Sequence, residues 1–360
     1  MNRNAASDVK QTPGMINGEA VIWRDVRQEP FSLHGFYRSQ SGPCFNRLPD
    51  EVGQAGCPRL AAMYLESAGG RVRFSTDSPF IAIRAKYRSI GRYWLLTLAA
   101  SAGFDLYEDG FFGSRFVRDF RIPENVTDGY EQLIRLPVAG GMRSYTINFP
   151  IHSAVDTLEI GLAPLAQLSA GAPYRAYPPI CFYGSSIVQG TAASRPGQTY
   201  EAHISRMLNM DYINLGFGGS AKGEQALVRY MASLPMSVFV CDYDHNAPDP
   251  EYLGKTHWPL YQIFRVMRPD VPYIMITRPN FYTAENSLGE VMACRDVIMQ
   301  SYLRAREAGD RNVYFIDGAG FFADENVYDC TVDDIHPNDI GLLRMAKTVG
   351  TVIRNIMEKR

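Results

Sequence analysis

The hydrophobic pattern of the chain changes near residue 165. From about residue 20 to 165, short runs of alternating apolar and polar residues are separated by turn residues. Alternation with a period of two marks a strand with one buried face, and many short strands of this kind are typical of an antiparallel sandwich. The runs expected as strands are RVRFST, PFIAIRAKYR, YWLLTLAA, FDLYED, RFVRDF, EQLIRLPV, RSYTINF and DTLEIGLA. Residues 1–165 are therefore predicted to form a β-sandwich, of jelly-roll type.

The segment 166–178 has no periodic pattern and is rich in proline, so we expect a linker there. From residue 179 to 360, buried apolar strands alternate with longer helical stretches. Strands are expected at 180–183, 212–215, 237–242, 273–277 and 313–317, and helices near 198–208, 223–233, 251–268, 286–308 and 339–357. The spacing in the last helix predicts one apolar face made of Ile340, Leu343, Ala346, Val349, Ile353 and Ile356. The alternation predicts a parallel sheet with helices on both faces, an α/β/α architecture of three layers.

Composition and charge exclude several classes of function. The chain has 21% charged residues and a net charge of -2, with no basic cluster, so a nucleic-acid partner is not expected. It has no apolar stretch of roughly 18 residues and no signal-peptide core at its N-terminus. We therefore expect a cytoplasmic protein without a membrane partner, and a homo-oligomer is left open. The six cysteines show no CxxC or Cys/His spacing, which argues against a disulfide framework or a zinc site.

Four polar segments fall where a parallel sheet places its active site. GSSIVQG (184–190), GFGGSA (216–221) and DYDHNAP (242–248) follow the first three predicted strands, and DDIHPND (333–339) precedes the last helix. Ligands of open parallel sheets bind beyond the carboxyl ends of the strands. We therefore expect these four segments to meet at one edge of the sheet.

The residue types in these segments are those of acyl-transfer chemistry. Ser186 is the candidate nucleophile, and a serine hydroxyl needs a neighbouring base to remove its proton. His336 is the candidate base, and Asp333 is expected to orient it and stabilise its cation. The negative charge that develops on the attacked carbonyl needs hydrogen-bond donors. We expect these donors to be the backbone amides of Ser186 and Gly219 and the side-chain amide of Asn246.

The four segments, in this order, resemble the Ser, Gly, Asn and His blocks of the SGNH (GDSL-like) hydrolase superfamily. Two departures are visible: the usual Gly-Asp-Ser reads Gly-Ser-Ser, and the Asn block lacks its preceding glycine. The register of IVQG after the serine pair favours Ser186 over Ser185 as the family serine. Residues 103–107 read GFDLY, which resembles the GxDLY marker of a bacterial branch with an N-terminal β-domain. The resemblance implies a flavodoxin-like catalytic domain.

The resemblance further implies a serine esterase that removes short acyl groups, above all acetyl, from an acylated oligosaccharide. An SGNH-type acyltransferase, a lipase or a thioesterase remains an alternative. Neither a cofactor nor a metal is expected. Four residues are candidates for contact with the substrate: Tyr243, His245, Trp258 and Phe281.

The remote alternative is an NAD-dependent dehydrogenase. Gly216-x-Gly218-x-x-Ala221 follows a strand, and Asp242 ends the next strand, as a dinucleotide fingerprint requires. That alternative leaves Ser186 and His336 without a role.

Overall fold

Two antiparallel sheets form the N-terminal domain in the computed structural model, which describes residues 11–39, 42–43, 45–137, 141–279, 287–323 and 326–360. The strands are β1 (Gln11–Ile16), β2 (Glu19–Asp25), β3 (Ser32–His34), β4 (Arg38–Ser39), β5 (Gly42–Pro43), β6 (Arg71–Thr76), β7 (Phe80–Ile90), β8 (Phe104–Gly110), β9 (Gly113–Phe120), β10 (Gly129–Arg135), β11 (Arg143–Asn148), β12 (Ser153–Leu162) and β13 (Leu168–Ala170). One sheet has the order β1-β2-β12-β7-β10 and the other β13-β6-β11-β8-β9, with β3 also paired to β6. Three short helices interrupt the strands: α1 (Asp50–Gln54), α2 (Pro58–Met63) and α3 (Leu98–Ser101).

The predicted sandwich is confirmed, because alternate residues of its strands meet in one core. Along β7, Ile81 and Ile83 belong to the core between the sheets, whereas Ala82 packs with Trp23 in a smaller apolar cluster. Successive side chains of a strand point to opposite faces, and both faces of β7 are covered in part, so neighbouring residues belong to different apolar clusters.

Three segments of the N-terminal domain differ from the sequence prediction. The run YWLLTLAA forms a turn and α3 instead of a strand, because the Thr97 side chain accepts a hydrogen bond from Ala100 N and caps the helix. An additional hairpin, β1–β2, precedes the first predicted strand and turns at Asn17 and Gly18, both with positive φ. The expected linker contains β13, which pairs with β6 and extends the N-terminal sheet.

The second domain is a parallel sheet of five strands, as predicted. Its strands are β14 (Ile180–Gly184), β15 (Tyr212–Gly216), β16 (Val238–Asp242), β17 (Tyr273–Ile276) and β18 (Val313–Ile316), and its helices are α4 (Ser186–Gln189), α5 (Tyr200–Leu208), α6 (Gln225–Ser233), α7 (Pro250–Met267), α8 (Leu288–Glu307) and α9 (Asp339–Met357). The order β15-β14-β16-β17-β18 is that of flavodoxin-like folds. The strand order reverses beside β14, so the crevice at the carboxyl end of β14 is where a ligand is expected.

Helices cover both faces of this sheet. Helices α5 and α9 pack on one face with Phe182 and Val240, and α6, α7 and α8 pack on the other with Phe239 and Tyr273. The predicted apolar face of α9 needs a correction in its first turns: Ile340 and Leu343 are 49% and 37% exposed. Their neighbours Leu342 and Met345 are buried instead, together with Ala346, Val349, Ile353 and Ile356. Within the described ranges, no helix is long and apolar enough to cross a membrane.

The GFDLY segment joins the two domains. Asp105 is fully buried and accepts hydrogen bonds from Arg195 Nη1 at 2.9 Å and from Gly197 N at 2.8 Å, both in the catalytic domain. The Tyr107 hydroxyl lies 2.5 Å from Arg195 Nη1. A second connection is the buried Arg47, which donates to Gly216 O at 2.6 Å at the carboxyl end of β15. The N-terminal domain is therefore fixed against the edge where the site is expected.

Candidate active site

The first two residues of interest are the adjacent serines that follow β14. Ser185 is the N-cap of α4: it is buried, and its Oγ accepts a hydrogen bond from Ile187 N at 3.2 Å. Ser186 begins the helix and is partly exposed, and its Oγ lies 2.8 Å from His336 Nε2. The geometry thus pairs Ser186, and not Ser185, with the histidine. Of the two serines, Ser186 lines the cleft and Ser185 does not.

The loop before α9 holds His336 toward Ser186. Asp333 Oδ1 accepts hydrogen bonds from the backbone N–H groups of Ile335 and His336, which closes a tight turn. Asp333 Oδ2 lies 2.8 Å from His336 Nδ1. Asn338 then caps α9 by accepting from Ile340 N at 3.0 Å. The carboxylate therefore places a proton on Nδ1 and leaves Nε2 as the acceptor for the serine hydroxyl.

Asp333 is ionised in this arrangement. Burial alone would raise the pKa of its carboxyl group, but the backbone N–H and the ring of His336 donate hydrogen bonds that outweigh burial. The pKa of Asp333 lies below its usual value as a result. A carboxylate in this state stabilises an imidazolium on His336.

The Gly and Asn blocks reach the same cleft, but their hydrogen bonds differ from the expectation that all donors are free. Gly219 N donates to Asn246 Oδ1 at 2.7 Å. Asn246 Nδ2 donates to Phe217 O and to Ala221 O, both at 2.9 Å. In this structure the two amide protons of Asn246 hold the glycine turn together, and its role as an oxyanion donor stays a prediction. Among the described residues, no acceptor binds the N–H of Ser186 at the start of α4.

The cleft above Ser186 has a volume of about 310 Å³ and is shared by both domains. This is large enough for a small ligand. The residues of the catalytic domain that line it are Ser186, Thr191, Gly218, Gly219, His245, Asn246, Ile335 and His336. The residues of the N-terminal domain that line it are Arg59, Met63, Tyr93, Leu95, Leu96 and His152. We call this second set the N-terminal wall.

Sequence reasoning missed the residues that support the cleft from behind. Gln189 Oε1 accepts from Gly218 N at 3.0 Å, and Gln189 Nε2 donates to the Glu66 carboxylate and to His152 Nδ1. His152 Nε2 lies 2.9 Å from the Thr191 hydroxyl. This network ties the glycine turn to the N-terminal domain. Its only signal in the sequence is the position of Gln189 in the Ser block, since the partners are far apart along the chain.

The four predicted substrate contacts have different outcomes. His245 lines the cleft, and burial, aided by the charges of Arg278 and His336, holds the pKa of its imidazole well below the usual value. Tyr243 does not reach the cleft: it is buried and its hydroxyl bonds to the Thr256 hydroxyl. Trp258 lies on α7, where its ring stacks on Tyr261 away from the site. Phe281 lies outside the described residues.

The dinucleotide fingerprint does not form. A fingerprint turn opens directly into a helix, whereas α6 begins at Gln225, well after Ala221. Gly218 instead packs on the nucleophile turn, since a Cβ at this position would lie 3.1 Å from Ser186 Cβ. In the part of the chain that the structure describes, no three His, Cys, Asp or Glu side chains converge as a metal site requires.

Comparisons with known proteins agree with this architecture. The model of the GDSL-like lipase/acylhydrolase family matches residues 178–354, and the model of the GxDLY N-terminal domain of SGNH-hydrolase-type esterases matches residues 21–168. A search of curated proteins found no match.

Three solved structures are similar over most of the chain. A GDSL-like lipase from Bacteroides ovatus is 27% identical with a TM-score of 0.84, covering 94% of this chain and 98% of its own. The salicylyl-acyltransferase SsfX3 of a tetracycline biosynthetic pathway is 18% identical with a TM-score of 0.76, covering 94% and 99%. A family two carbohydrate esterase from Clostridium thermocellum is 16% identical with a TM-score of 0.61, covering 81% and 93%. The chain belongs to the GDSL-like (SGNH) hydrolases that carry an N-terminal GxDLY domain.

Proposed function

We propose that this protein is a serine esterase that removes short acyl groups, chiefly acetyl, from a carbohydrate substrate. One observation carries the proposal: a hydrogen-bonded chain runs from Ser186 Oγ through His336 to Asp333, with both separations at 2.8 Å. Ser186, at one end of this series of hydrogen bonds, lines a cleft of about 310 Å³ beside the N-terminus of α4. A hydroxyl, an imidazole and a carboxylate in this order are the components of nucleophilic acyl transfer.

In the first step, Ser186 Oγ attacks the ester carbonyl carbon while His336 Nε2 takes the hydroxyl proton. Asp333 accepts a hydrogen bond from Nδ1 throughout and stabilises the imidazolium. The tetrahedral intermediate then collapses, and His336 gives its proton to the departing alcohol oxygen. In the second step, His336 takes a proton from water as the water oxygen attacks the carbonyl carbon of the acyl-serine. The second tetrahedral intermediate then collapses, His336 returns its proton to Ser186 Oγ, and the acid is released.

The oxyanion requires donors at the start of α4 and at the glycine turn. The N–H of Ser186 is the first donor, because it begins a helix and has no acceptor among the described residues. The N–H of Gly219 is the second, and it must exchange Asn246 Oδ1 for the substrate. An oxyanion accepts a stronger hydrogen bond than a neutral amide oxygen, which favours this exchange as charge develops. The Asn246 amide is the third donor, and this role requires Nδ2 to exchange one of its carbonyl acceptors, Phe217 O or Ala221 O, for the oxyanion.

The size and lining of the cleft support a short acyl group and a polar alcohol. Leu95, Leu96 and Met63 give apolar surface near the nucleophile, while Thr191 and His245 give polar atoms. A family two carbohydrate esterase has a similar fold over 81% of this chain, which supports a sugar as the alcohol. We place His245 at the sugar side, where its neutral ring accepts or donates one hydrogen bond.

The experiment is a comparison of esters with the full-length protein. We expect kcat/KM for para-nitrophenyl esters to fall from acetate to octanoate, and we expect acetylated oligosaccharides to lose mass as acetate appears. A preference for octanoate would favour a lipase. Transfer of the acyl group to an added alcohol in preference to water would favour an acyltransferase. Release of no acyl group from any of these esters would contradict the proposal.

A further inference from the structure

The N-terminal wall contributes a cation to the cleft that the esterase mechanism does not use. Arg59 lies in the first turn of α2, and its side chain is exposed and lines the cleft together with Ser186 and Gly219. The backbone at Gly219 has a φ of +68°, which favours glycine, and a Cβ there would lie 3.1 Å from Arg59 Nη1. The guanidinium thus extends over the glycine turn beside the nucleophile.

The charge of Arg59 is not neutralised by a neighbour. Among the described residues, no carboxylate lies within 4.0 Å of its guanidinium, whereas two arginines at the domain boundary are paired, Arg195 with Asp105 and Arg71 with Asp211. The two carboxylates directly behind the cleft lining have other partners: Glu66 accepts from Gln189, and Asp333 binds His336. Arg59 is also the one lining residue of the described cleft with a permanent charge.

The lining of the cleft adds a second hydrogen-bond donor to the cation. Tyr93 lines the same wall as Arg59, and burial together with the charge of Glu66 raises the pKa of Tyr93 although Arg59 lowers it. The Tyr93 hydroxyl therefore stays protonated at neutral pH and is available as a donor. A guanidinium and a neighbouring hydroxyl bind a carboxylate together, because each donates a hydrogen bond to it.

We propose that Arg59 is a specificity-determining residue that binds a carboxylate carried by the substrate close to the ester. This inference rests on the proposed esterase function and names its substrate class: an acylated sugar acid or another ester with a carboxylate nearby. The carboxylate belongs either to the alcohol part or to the acyl part of the ester. In both cases it forms the same charged hydrogen bond with the Arg59 guanidinium. A neutral acetylated sugar would leave the cation without a partner.

Two pairs of esters matched in shape test the proposal with the full-length protein. Meta-acetoxybenzoate against meta-isopropylphenyl acetate places the charge on the alcohol part, and para-nitrophenyl hemisuccinate against para-nitrophenyl 4-methylpentanoate places it on the acyl part. Spontaneous hydrolysis is subtracted with enzyme-free samples. The readout is the ratio of kcat/KM for the anionic ester to kcat/KM for its neutral partner, in wild type, Arg59→Gln, Arg59→Glu and the control Arg229→Gln. Arg229 is an exposed arginine on α6 outside the cleft.

We expect a ratio above one in at least one pair at low salt, and a fall of about tenfold or more in Arg59→Gln, the effect of one lost charged hydrogen bond. Arg59→Glu should lower the ratio further, Arg229→Gln should keep it, and added salt should reduce it in wild type. Ratios at or below one in both pairs, or an unchanged ratio in Arg59→Gln, would overturn the proposal. An equal loss for charged and neutral esters would also overturn it, since Arg59 would then serve the oxyanion or the fold.

A binding measurement keeps this test separate from the proposed function. Calorimetric titration of Ser186→Ala with the same four esters measures affinity without turnover, and the double variant Ser186→Ala/Arg59→Gln is its comparison. Tighter binding of the anionic ester that disappears in the double variant supports the Arg59 site even if wild type hydrolyses none of the four. Equal binding of charged and neutral esters overturns it even if all four are hydrolysed.

Discussion

The two walls of the cleft are built in different ways. On the catalytic side, Ser186 begins a helix at a strand end, and His336 is held by Asp333 in a closed turn. On the opposite side, Arg59 and Tyr93 are exposed residues of short connections around the sandwich. The reacting groups are thus fixed by local hydrogen bonds, whereas the groups that face the substrate depend on the docking of a second domain. Changes on the catalytic side should affect all esters equally, and changes on the N-terminal side should alter the choice of ester.

The largest expected effect is the loss of the nucleophile. Ser186→Ala should lower kcat/KM by at least about four orders of magnitude for every ester, because among the described residues no other hydroxyl bonds to His336 Nε2. Ser185→Ala is the matched control, since this serine caps α4 and its loss should leave substantial activity. A dead Ser185→Ala together with an active Ser186→Ala would reverse the assignment of the two serines.

The second effect concerns the connection between the walls. Asp105→Asn should lower the free energy of unfolding by about 3 to 5 kcal/mol, because Arg195 loses its charged partner in a buried site. Equilibrium denaturation in urea measures this loss. Asp156→Asn is the control: its pair with Arg88 is half exposed, and its loss should change stability by less than about 1 kcal/mol. Equal effects of the two changes would show that the GFDLY carboxylate does not hold the domains together.

The third effect tests the glycine turn. Asn246→Ala should cost about 2 to 4 kcal/mol in transition-state stabilisation for all esters alike, because it removes a donor and releases Phe217 and Ala221. The ratio of kcat/KM for wild type and variant gives this value. The control is Asn312→Ala, a half-buried residue at the amino end of β18, whose side chain donates to Asp270 O and does not line the cleft. Turnover near the wild-type rate in Asn246→Ala would remove this residue from the site.

The smallest effect lies at the domain boundary and depends on pH. Burial alone would raise the pKa of Asp211, but hydrogen bonding to His34 and the charge of Arg71 lower it to about 2. A carboxyl group with a lowered pKa stabilises the folded state above its unfolded pKa near 4, and the contribution is lost as the pH falls toward 2.

Wild type should therefore be more stable than Asp211→Asn by roughly 2 kcal/mol at pH 7. The difference should shrink as the pH falls from about 5 to 2. Urea denaturation at a series of pH values measures it. A difference that stays constant over this range would show that the ionisation of Asp211 does not contribute.

The sequence is sufficient to predict the sheet edge and the groups on it. Residues that follow parallel strands must meet at one edge of the sheet, so Ser186, Gly219 and Asn246 were expected together. Asp333 lies three residues before His336, and a single turn at this spacing brings the carboxylate to the imidazole. The hydrogen bonds of Asn246 were not predictable. They depend on the path of the glycine turn, which spacing does not determine.

The N-terminal wall was not predictable for a different reason. Arg59, Tyr93 and His152 are far apart along the chain, and only the docking of the two domains brings them to the nucleophile. Trp258 shows the opposite error: this aromatic residue of the helix predicted near 251–268 was expected to contact the substrate, whereas α7 carries it away from the cleft.

The most direct test of the account is covalent labelling of the nucleophile. The full-length protein is treated with a fluorophosphonate, which phosphonylates an activated serine, and its intact mass and peptides are analysed. We predict a single adduct on Ser186 that appears as ester hydrolysis is lost, forms in Ser185→Ala and is absent in Ser186→Ala. An adduct on another residue, or undiminished hydrolysis after complete labelling of Ser186, would contradict the central claim that Ser186 carries the acyl group.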